Sequence, residues 1–162
     1  MTLNLHVVTP TKVVWDAPTP EIILPTTNGQ IGILPGHVSI VTFLQVGVIR
    51  VRFEKDWLPI FVMGGFAEVE ADEVTVVVNG AERGDEIDCA MADSALETAR
   101  ESLHSAQSRP EKTRAQQAIA RARARAIAAH DFPQQLIGRV PVGTGSTRKN
   151  PKVSAMKTIE KL

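Results

Sequence analysis

The chain has 162 residues, with 18 acidic and 18 basic side chains and a single cysteine, Cys89. A single cysteine excludes an internal disulfide framework and an all-cysteine metal site. A chain without disulfides is typical of proteins in a reducing compartment. No apolar run approaches the ~20 residues of a membrane span, and the N-terminus lacks the basic and apolar regions of a signal or transit peptide. We therefore expect a soluble protein or a peripheral part of a larger assembly.

The net charge of zero hides an asymmetry along the chain. Residues 1–88 carry 12 acidic and 5 basic side chains, residues 89–132 carry 5 and 7, and residues 133–162 carry 1 and 6. An acidic front and a basic back indicate that the two ends meet different partners, one of them anionic.

Residues 1–88 predict an antiparallel β-sandwich, because short strand-like runs alternate with turn signals along this whole region. The clearest strand is Val46–Phe53, with three apolar side chains on one face and two arginines on the other. A strand over residues 58–63 leads into Gly64-Gly65, which marks a bend or bulge. A further strand over residues 73–79 is expected to be closed by Asn79-Gly80.

Three glycines and a proline interrupt the strand-like residues between Asn28 and Val41. A P-loop would need a lysine that this stretch lacks, and the glycine spacing does not match a dinucleotide fingerprint. The string GQIG matches the loop of a KH domain, but that loop joins two helices, whereas this one lies between strand-like runs. Residue types alone favour turns at Asn28-Gly29 and Pro35-Gly36 that flank a short strand over residues 30–34.

After Cys89 the apolar period changes from two to about 3.6 residues, which predicts two helices. The first is expected to begin at Ser94 in a capping box with Glu97, and the second at Ser108 with Glu111 and a proline in its first turn. The predicted apolar stripes are Leu96, Ala99, Leu103 and Ala106 in the first helix, and Ala115, Ala118, Ile119, Ala122, Ala126 and Ala129 in the second.

The short link between the helices predicts an antiparallel hairpin over residues 89–132. Alanine faces pack closely but bury little apolar area each, so the hairpin should detach from the sandwich at modest cost and is a candidate moving part. Residues 133–162 are predicted as a flexible basic tail, with a marginal short helix over residues 154–162. The expected fold class is α+β: an N-terminal antiparallel β-sandwich, a C-terminal two-helix hairpin and a tail.

The sequence contains no evident catalytic constellation. Its four histidines lack metal-ligand spacing, and neither Cys89 nor any serine lies in a nucleophile motif. The most concentrated charges are the arginines of the second helix. Three of them share one helical face and the fourth lies away from it, namely Arg114, Arg121 and Arg125, and Arg123. They are compatible with a solvated helix face and with a surface for an anionic partner, and the residues alone leave both open.

The chain resembles the epsilon-subunit family of the F-type ATP synthase, in its chloroplast and cyanobacterial branch. The strings that carry the resemblance are LNLHVVTP from residue 3, EIILP from 21, GQIGILPGH from 29, MGGFA from 63 and NGAERGDEID from 79. The similarity runs in order from residue 1 to about residue 130 and says nothing about residues 133–162. It implies a non-catalytic central-stalk subunit that joins the gamma subunit to the membrane rotor ring, couples proton flow to ATP synthesis and restrains ATP hydrolysis through its hairpin.

The resemblance also implies a place for each contact. The rotor ring would meet the turn formed by Asn28, Gly29, Gln30, Ile31 and Gly32, with Gln30 as the side chain offered to it. The gamma subunit would meet Pro35, Gly36 and His37. An acidic segment of the catalytic beta subunits would meet Arg114, Arg121, Arg123 and Arg125. The implied location is peripheral, on the stromal face of the chloroplast thylakoid membrane or on the cytoplasmic face of a cyanobacterial or other bacterial membrane.

No cofactor is expected. Some bacterial members of this family bind ATP through an I/L-D-x-x-R-A motif in which the arginine pairs with phosphate. The matching residues here are IDCAMA from residue 87, with Met91 in place of the arginine. We therefore expect no useful ATP binding by the isolated subunit.

Two alternatives belong to other functional classes. A nucleic-acid-binding module would use the basic helix and tail, but residues 114–129 contain no aromatic side chain on which bases could stack. A small hydrolase would need a catalytic constellation that the sequence lacks. Co-purification of a gamma subunit would distinguish a stalk subunit from both.

Overall fold

The structure is a computed structural model that describes residues 1–140, and these residues form eight strands, two helices and two short 3₁₀ turns. The strands are β1 (Leu3–Val8), β2 (Val13–Thr19), β3 (Ile22–Thr26), β4 (Gly29–Ile33), β5 (Ile40–Phe53), β6 (Asp56–Glu70), β7 (Glu73–Val78) and β8 (Ala81–Arg83). The helices are α1 (Cys89–Ser105) and α2 (Arg109–Asp131), and the 3₁₀ turns are Gly84–Glu86 and Gln134–Leu136. The architecture is the predicted α+β fold, a β-sandwich followed by a helical hairpin.

The eight strands of the described chain form one sheet in the order β2-β1-β7-β6-β5-β3-β4, with β8 also paired to β6. The pairs are antiparallel except for β1 with β7, which run parallel. The sheet folds over itself, so buried apolar side chains from all these strands meet in one core. Among the described strands, β2 and β4 lie at the two ends of this strand order, and β8 pairs with β6 alone.

The long strand β6 changes which of its residues face the core. Its core side chains are even-numbered from Leu58 to Val62 but odd-numbered at Ala67 and Val69. The change falls at Gly64 and Gly65, whose φ angles are +91° and +152°. L-residues with a side chain rarely adopt such angles. The bend predicted at this pair is therefore where the strand switches its buried face.

Two of the predicted strand ends differ from those in the structure. The strand predicted over residues 46–53 begins at Ile40, so it also includes Val41 and Phe43. Asn79-Gly80 does not close a hairpin, because β8 continues along the same neighbour, β6, after the interruption. The Asn79 N–H donates to the Gly64 carbonyl at 3.1 Å and the Met63 N–H donates to the Gly80 carbonyl at 2.9 Å. Ladder pairing with β6 thus overrides the local turn preference of Asn-Gly.

Helix α1 begins at Cys89, and the predicted start at Ser94 is wrong. The Asp88 carboxylate accepts the Met91 N–H at 2.9 Å and caps the helix. The Ser94 and Glu97 pair matches a capping box in sequence, but it lies inside the helix and both residues are exposed there. The chain enters the helix as soon as it leaves the sandwich at Ile87, which is buried.

Helix α2 begins as predicted. The Ser108 hydroxyl accepts the Glu111 N–H at 3.3 Å, and the Glu111 carboxylate accepts the Gln107 N–H at 2.9 Å. The hydrogen bond from Gln107 is the main cause that lowers the pKa of Glu111. Desolvation opposes it, and the hydrogen bonds with Ser108 and the charge of Arg114 lower the pKa further.

The predicted apolar stripes account for the contact between α1 and α2, but they miss part of the contact between α2 and the sandwich. Ala99 of α1 is buried as predicted, together with Ala92, whereas the other members of its stripe are half-buried. In α2 the buried alanines include two that were not predicted, Ala124 and Ala128. These two belong to a cluster with Val48, Phe61 and other residues beneath the hairpin. Helix α2 therefore has a second buried face, which lies on β5 and β6.

The segment after α2 packs against the sandwich, although the sequence predicted a flexible tail from residue 133. Phe132, Leu136 and Val140 are 3%, 1% and 4% exposed, and all three join the main core. Their spacing of four residues was not recognised as an apolar pattern because Pro133 and Gly138 interrupt it. The rest of the predicted tail, including the short helix over residues 154–162, lies outside the described residues.

We expect Gly65→Ala to destabilise the sandwich by about 2 kcal/mol or more. A Cβ at Gly65 would lie 2.0 Å from the Val77 carbonyl oxygen, and the φ angle of +152° disfavours any side chain. Urea unfolding of the two proteins measures the difference. Gly32→Ala is the control, because a Cβ there meets nothing within 4 Å and the residue has no positive φ angle. Equal unfolding midpoints for the two variants would contradict the role assigned to Gly65.

Candidate functional site

The β3–β4 hairpin ends in a turn of two residues, Thr27 and Asn28, because Thr26 pairs with Gly29. The Thr26 hydroxyl donates to the Gly29 carbonyl at 2.5 Å and accepts the Asn28 N–H at 3.2 Å. Gly29 has a φ angle of +110°, which explains why a glycine follows the turn. The Thr26 side chain thus holds the turn in place, while Thr27 and Asn28 remain exposed to solvent.

The five predicted ring-contact residues do not all face outward. Asn28, Gly29, Gln30 and Gly32 are exposed, but Ile31 is half-buried and packs against the core. A side chain added at Gly32 would meet nothing within 4 Å. Gln30 is consequently the only long polar side chain that β4 itself presents to solvent. Gly29 and Gly32, on either side of it, expose only backbone.

The three predicted gamma-contact residues form a turn at the other end of β4. The His37 N–H donates to the Leu34 carbonyl at 3.1 Å, and Gly36 has a φ angle of +84° at the third position of the turn. Pro at the second position and Gly at the third are typical of a type II turn. The structure contains both predicted turns and the strand between them, with two shifts: the first turn is Thr27-Asn28 instead of Asn28-Gly29, and the strand is Gly29–Ile33 instead of residues 30–34.

Four large apolar side chains between residues 34 and 43 are exposed, and their exposure was not predicted from the sequence. Leu34 is 54% exposed, and Val38, Val41 and Phe43 are each 71% exposed. Contiguous exposed apolar surface marks interaction sites more often than isolated apolar residues do. We call these four residues the apolar patch. The start of β5 at Ile40 could have indicated this patch. In a strand that begins there, alternation places Ile40 on the inner face and Val41 and Phe43 on the outer face.

The apolar patch connects the two turns. Phe43 lies at the β3–β4 turn, because its carbonyl accepts the Thr27 N–H at 3.3 Å. Val38 lies next to the other turn in sequence. The candidate ring and gamma contacts are therefore linked by exposed residues, through the Thr27 to Phe43 hydrogen bond at one turn and through chain continuity at the other.

The hairpin is folded onto the opposite half of β5 and β6. Arg125 of α2 donates two hydrogen bonds to Glu82 of β8, at 2.6 and 3.1 Å. These bonds raise the pKa of the Arg125 guanidinium, against a smaller opposing effect of desolvation. Asp131 accepts a hydrogen bond from Arg50 at 2.9 Å and ties the end of α2 to β5.

Gly84 brings the sandwich and α2 into backbone contact. A Cβ at Gly84 would lie 2.2 Å from the Ala128 carbonyl oxygen and 3.1 Å from the Phe132 Cβ. The glycine is held in place by its neighbours, because Arg83 donates two hydrogen bonds to Asp85, at 3.1 and 2.7 Å, and both side chains are largely buried. Only a residue without a side chain allows α2 to pack this closely.

The four predicted arginines fall into two groups. Arg114, Arg121 and Arg123 are exposed and form no ion pair with any described residue, whereas Arg125 is half-buried and paired with Glu82. Two further exposed cations, Arg109 and Lys112, lie near the start of α2. The unpaired charges therefore extend along α2 from its beginning to Arg123.

The described residues contain no group of three or more His, Cys, Asp or Glu that could hold a metal ion. Three of the four histidines make polar contacts: His6 lies between Asp16 and Glu73, His37 contacts the Val38 carbonyl, and His130 contacts Asp93. In the stretch aligned with the ATP motif, Asp88 caps α1 and Met91 is exposed. None of the described helices is long and apolar enough to cross a membrane.

Comparison with protein families finds two adjoining matches. Residues 2–84 match the family model described as ATP synthase, Delta/Epsilon chain, beta-sandwich domain. Residues 85–129 match ATP synthase, Delta/Epsilon chain, long alpha-helix domain. The two models meet at the glycine that contacts α2.

The chain is also similar to individual ATP synthase subunits. The ATP synthase epsilon chain of a Cyanothece species is 54% identical over 132 residues, which are 80% of this chain and 96% of that protein. The chloroplastic ATP synthase epsilon chain of Pyropia yezoensis is 50% identical over 129 residues, again 80% of this chain and 96% of that protein.

Solved structures give the same fold. A chain in the mitochondrial ATP synthase of Euglena gracilis, in an assembly of OSCP, F1 and c-ring, has a TM-score of 0.68 and 25% identity, covering 76% of this chain and 78% of that one. A chain in the central stalk and c-ring of Tetrahymena thermophila mitochondrial ATP synthase has a TM-score of 0.55 and 15% identity, covering 80% and 97%. The second likeness is one of fold alone.

Gly84→Ala should release the hairpin from the sandwich more effectively than Glu82→Gln does. The added methyl group collides with a backbone carbonyl, and such overpacking costs about 1–3 kcal/mol. The Arg125 and Glu82 side chains are 31% and 35% exposed, so their ion pair should contribute about 0.2–1 kcal/mol. Hydrogen exchange of the α2 amides relative to those of β6 measures the docking. Faster exchange in both elements would indicate global unfolding, and unchanged α2 exchange would contradict the prediction.

Proposed function

Because the chain belongs to the delta/epsilon chain family of the ATP synthase, we propose that it works as the epsilon subunit of such an enzyme. It is a non-catalytic subunit of the central stalk, coupling proton flow to ATP synthesis through the sandwich and restraining ATP hydrolysis through the hairpin. The observation that carries this conclusion is the identity of about half, which extends over 96% of the length of the cyanobacterial and chloroplastic epsilon chains.

The rotor ring is the proposed partner of the β3–β4 turn. Asn28, Gly29, Gln30 and Gly32 contact the polar loops of the ring, and the inward side chain of Ile31 keeps β4 in place beneath them. Support comes from the open space over Gly32 and from the hydrogen bonds that hold the turn. A rigid turn loses little conformational entropy when it docks.

The gamma subunit is the proposed partner of Pro35, Gly36 and His37 together with the apolar patch. Three side chains of this patch are 71% exposed, an unusual arrangement for a surface that stays in water. Apolar residues at the centre of an interface and polar residues at its rim are common in stable protein complexes. The adjacent ring-contact turn supplies such a polar rim.

The hairpin is the proposed regulatory element. Folded on the sandwich, it keeps Arg125 paired with Glu82, while Arg114, Arg121 and Arg123 remain exposed. On leaving the sandwich, α2 carries all four arginines to an acidic segment of the catalytic beta subunits. With 23 residues at about 1.5 Å each, α2 is roughly 35 Å long, which is enough to extend from the stalk into the head.

The other partners and the location follow from the same family. The subunit is membrane-associated only through the complex, on the stromal face of the thylakoid membrane or on the cytoplasmic face of a cyanobacterial membrane. No cofactor is proposed. The nucleic-acid-binding alternative has no support, since the similar proteins are ATP synthase subunits.

Gly32→Trp should impair coupling without unfolding the subunit, because the indole occupies space that is empty in the free protein and filled by the ring in the complex. We expect at least about a tenfold loss of docking affinity, equivalent to about 1.4 kcal/mol. Proton pumping by the reconstituted complex is the measurement. Lys55→Trp is the matched control, an exposed position in the turn between β5 and β6 and outside the predicted ring contact. If both variants pump as the parent does, the ring contact lies elsewhere.

Replacing Arg121, Arg123 and Arg125 together by glutamine should raise ATP hydrolysis by the reconstituted head towards that of a chain ending at Asp88. Each exposed pair contributes little alone, so the effect requires several charges and weakens with added salt. Assembly should be intact, because the sandwich is unchanged.

Glu82→Gln is the informative counterpart of that variant. It removes the partner of Arg125 in the folded hairpin but leaves every arginine available to the head, so it should lower ATP hydrolysis rather than raise it. Arg100→Gln, on the exposed surface of α1, controls for loss of charge. A triple variant that inhibits as strongly as the parent, while truncation abolishes inhibition, would show that the arginines are not responsible.

A further inference from the structure

The turn between β6 and β7 has an unusual backbone. It consists of two residues, Ala71 and Asp72, because Glu70 pairs with Glu73. Both have positive φ angles, +48° and +65°. Two-residue hairpin turns of this kind are usually built from Asn-Gly, Asp-Gly or Gly-Gly. The second of these positions therefore favours glycine on backbone grounds, and here it is occupied by aspartate.

Asp72 makes hydrogen bonds to two other parts of the chain. Its carboxylate accepts the Gly36 N–H at 2.7 Å. Its backbone carbonyl accepts the Asn4 N–H at 2.8 Å, which ties the same turn to the start of β1. The distance to Gly36 is typical of a charge-assisted hydrogen bond, which is stronger than a neutral one.

The Gly36 N–H has no partner within its own turn. In the turn from Leu34 to His37, the His37 N–H makes the closing hydrogen bond, and the amide of the third residue points away from it. Within the described residues, the bond to Asp72 is the only hydrogen bond that joins residues 35–38 to another element. Asp72 thus links the Leu34–His37 turn to the β6–β7 hairpin, whereas the other hydrogen bonds of this turn are local.

We propose that Asp72 is a positioning residue for gamma binding: its carboxylate holds the Pro35-Gly36-His37 turn, and with it Leu34 and Val38 of the apolar patch, in the conformation that docks. The inference rests on the proposed gamma contact. Rigid presentation favours binding because the free turn has less freedom to lose on docking. Asp72 itself lies on a different hairpin from the residues that touch the partner.

Two substitutions separate this role from ordinary stability. Asp72→Gly removes the carboxylate but suits the positive φ angle, so the sandwich should keep its urea unfolding midpoint. Asp72→Asn keeps an oxygen acceptor at the same place and also tolerates this conformation. We expect Asp72→Gly to bind a gamma-containing catalytic head about tenfold more weakly and Asp72→Asn to restore most of the loss. Hydrogen exchange at Gly36 and His37 should be faster in the glycine variant alone.

Phe43→Asp makes failure of this inference distinguishable from failure of the proposed gamma contact. A charge in the apolar patch should abolish gamma binding whatever Asp72 does. If Phe43→Asp prevents binding but Asp72→Gly binds as the parent does, the positioning role is wrong and the gamma site stands. If neither change affects binding, the gamma site itself is wrong. A lower unfolding midpoint for Asp72→Gly would also overturn the inference, by assigning Asp72 to stability.

Discussion

The change of buried face at Gly64 and Gly65 is the constraint on which the other features depend. A strand that kept strict alternation would bury one set of residues along its whole length. Here β6 turns over at the two glycines, and β5 beside it shows the same change, from Leu44 to Ile49. One half of this strand pair therefore presents Val41 and Phe43 of the apolar patch to solvent, and the other half presents Val48 and Phe61 to the hairpin.

This division separates the proposed docking surface from the hairpin. The proposed docking residues lie on β4, its flanking turns and the first half of β5, whereas the hairpin packs on the second half of β5. Both surfaces have glycines where another chain segment approaches or is proposed to approach: Gly84 beneath α2, and Gly29 and Gly32 at the proposed docking turn. Glycine at such points lets another backbone approach, so the same residue type suits the proposed external partner at one site and α2 at the other.

The hairpin is attached in a way that suits a regulatory element. Its buried contacts are mostly alanines, each of which contributes little apolar area. Its two ion pairs with the sandwich are partly exposed and correspondingly weak. By contrast, the segment that follows α2 inserts Phe132, Leu136 and Val140 into the main core. Residues 132–140 are thus the more firmly held part, and any release of α1 and α2 takes place between that anchor and Ile87.

Features that depend on local pattern could be predicted from the amino-acid sequence alone. Period-two alternation, the turn residues around β4, the cap of α2 at Ser108 and the helical period of alanines gave the α+β architecture and its order. The family resemblance, which the comparisons confirm, gave the function. The start of α1 was missed because Ser94 and Glu97 match a cap in sequence, whereas the real cap is set by where the chain leaves the sandwich, at Asp88.

Which surfaces are free depends on the three-dimensional fold of the whole chain. Val41 and Phe43 look like core residues in sequence, and Arg125 looks like its neighbours Arg121 and Arg123. Their exposure or pairing depends on contacts between residues far apart in the chain, such as Arg125 with Glu82 and Gly36 with Asp72. Local periodicity states that a residue lies on a given face of its own element. It carries no information on which other element covers that face, because covering is fixed by the folding of the whole sheet.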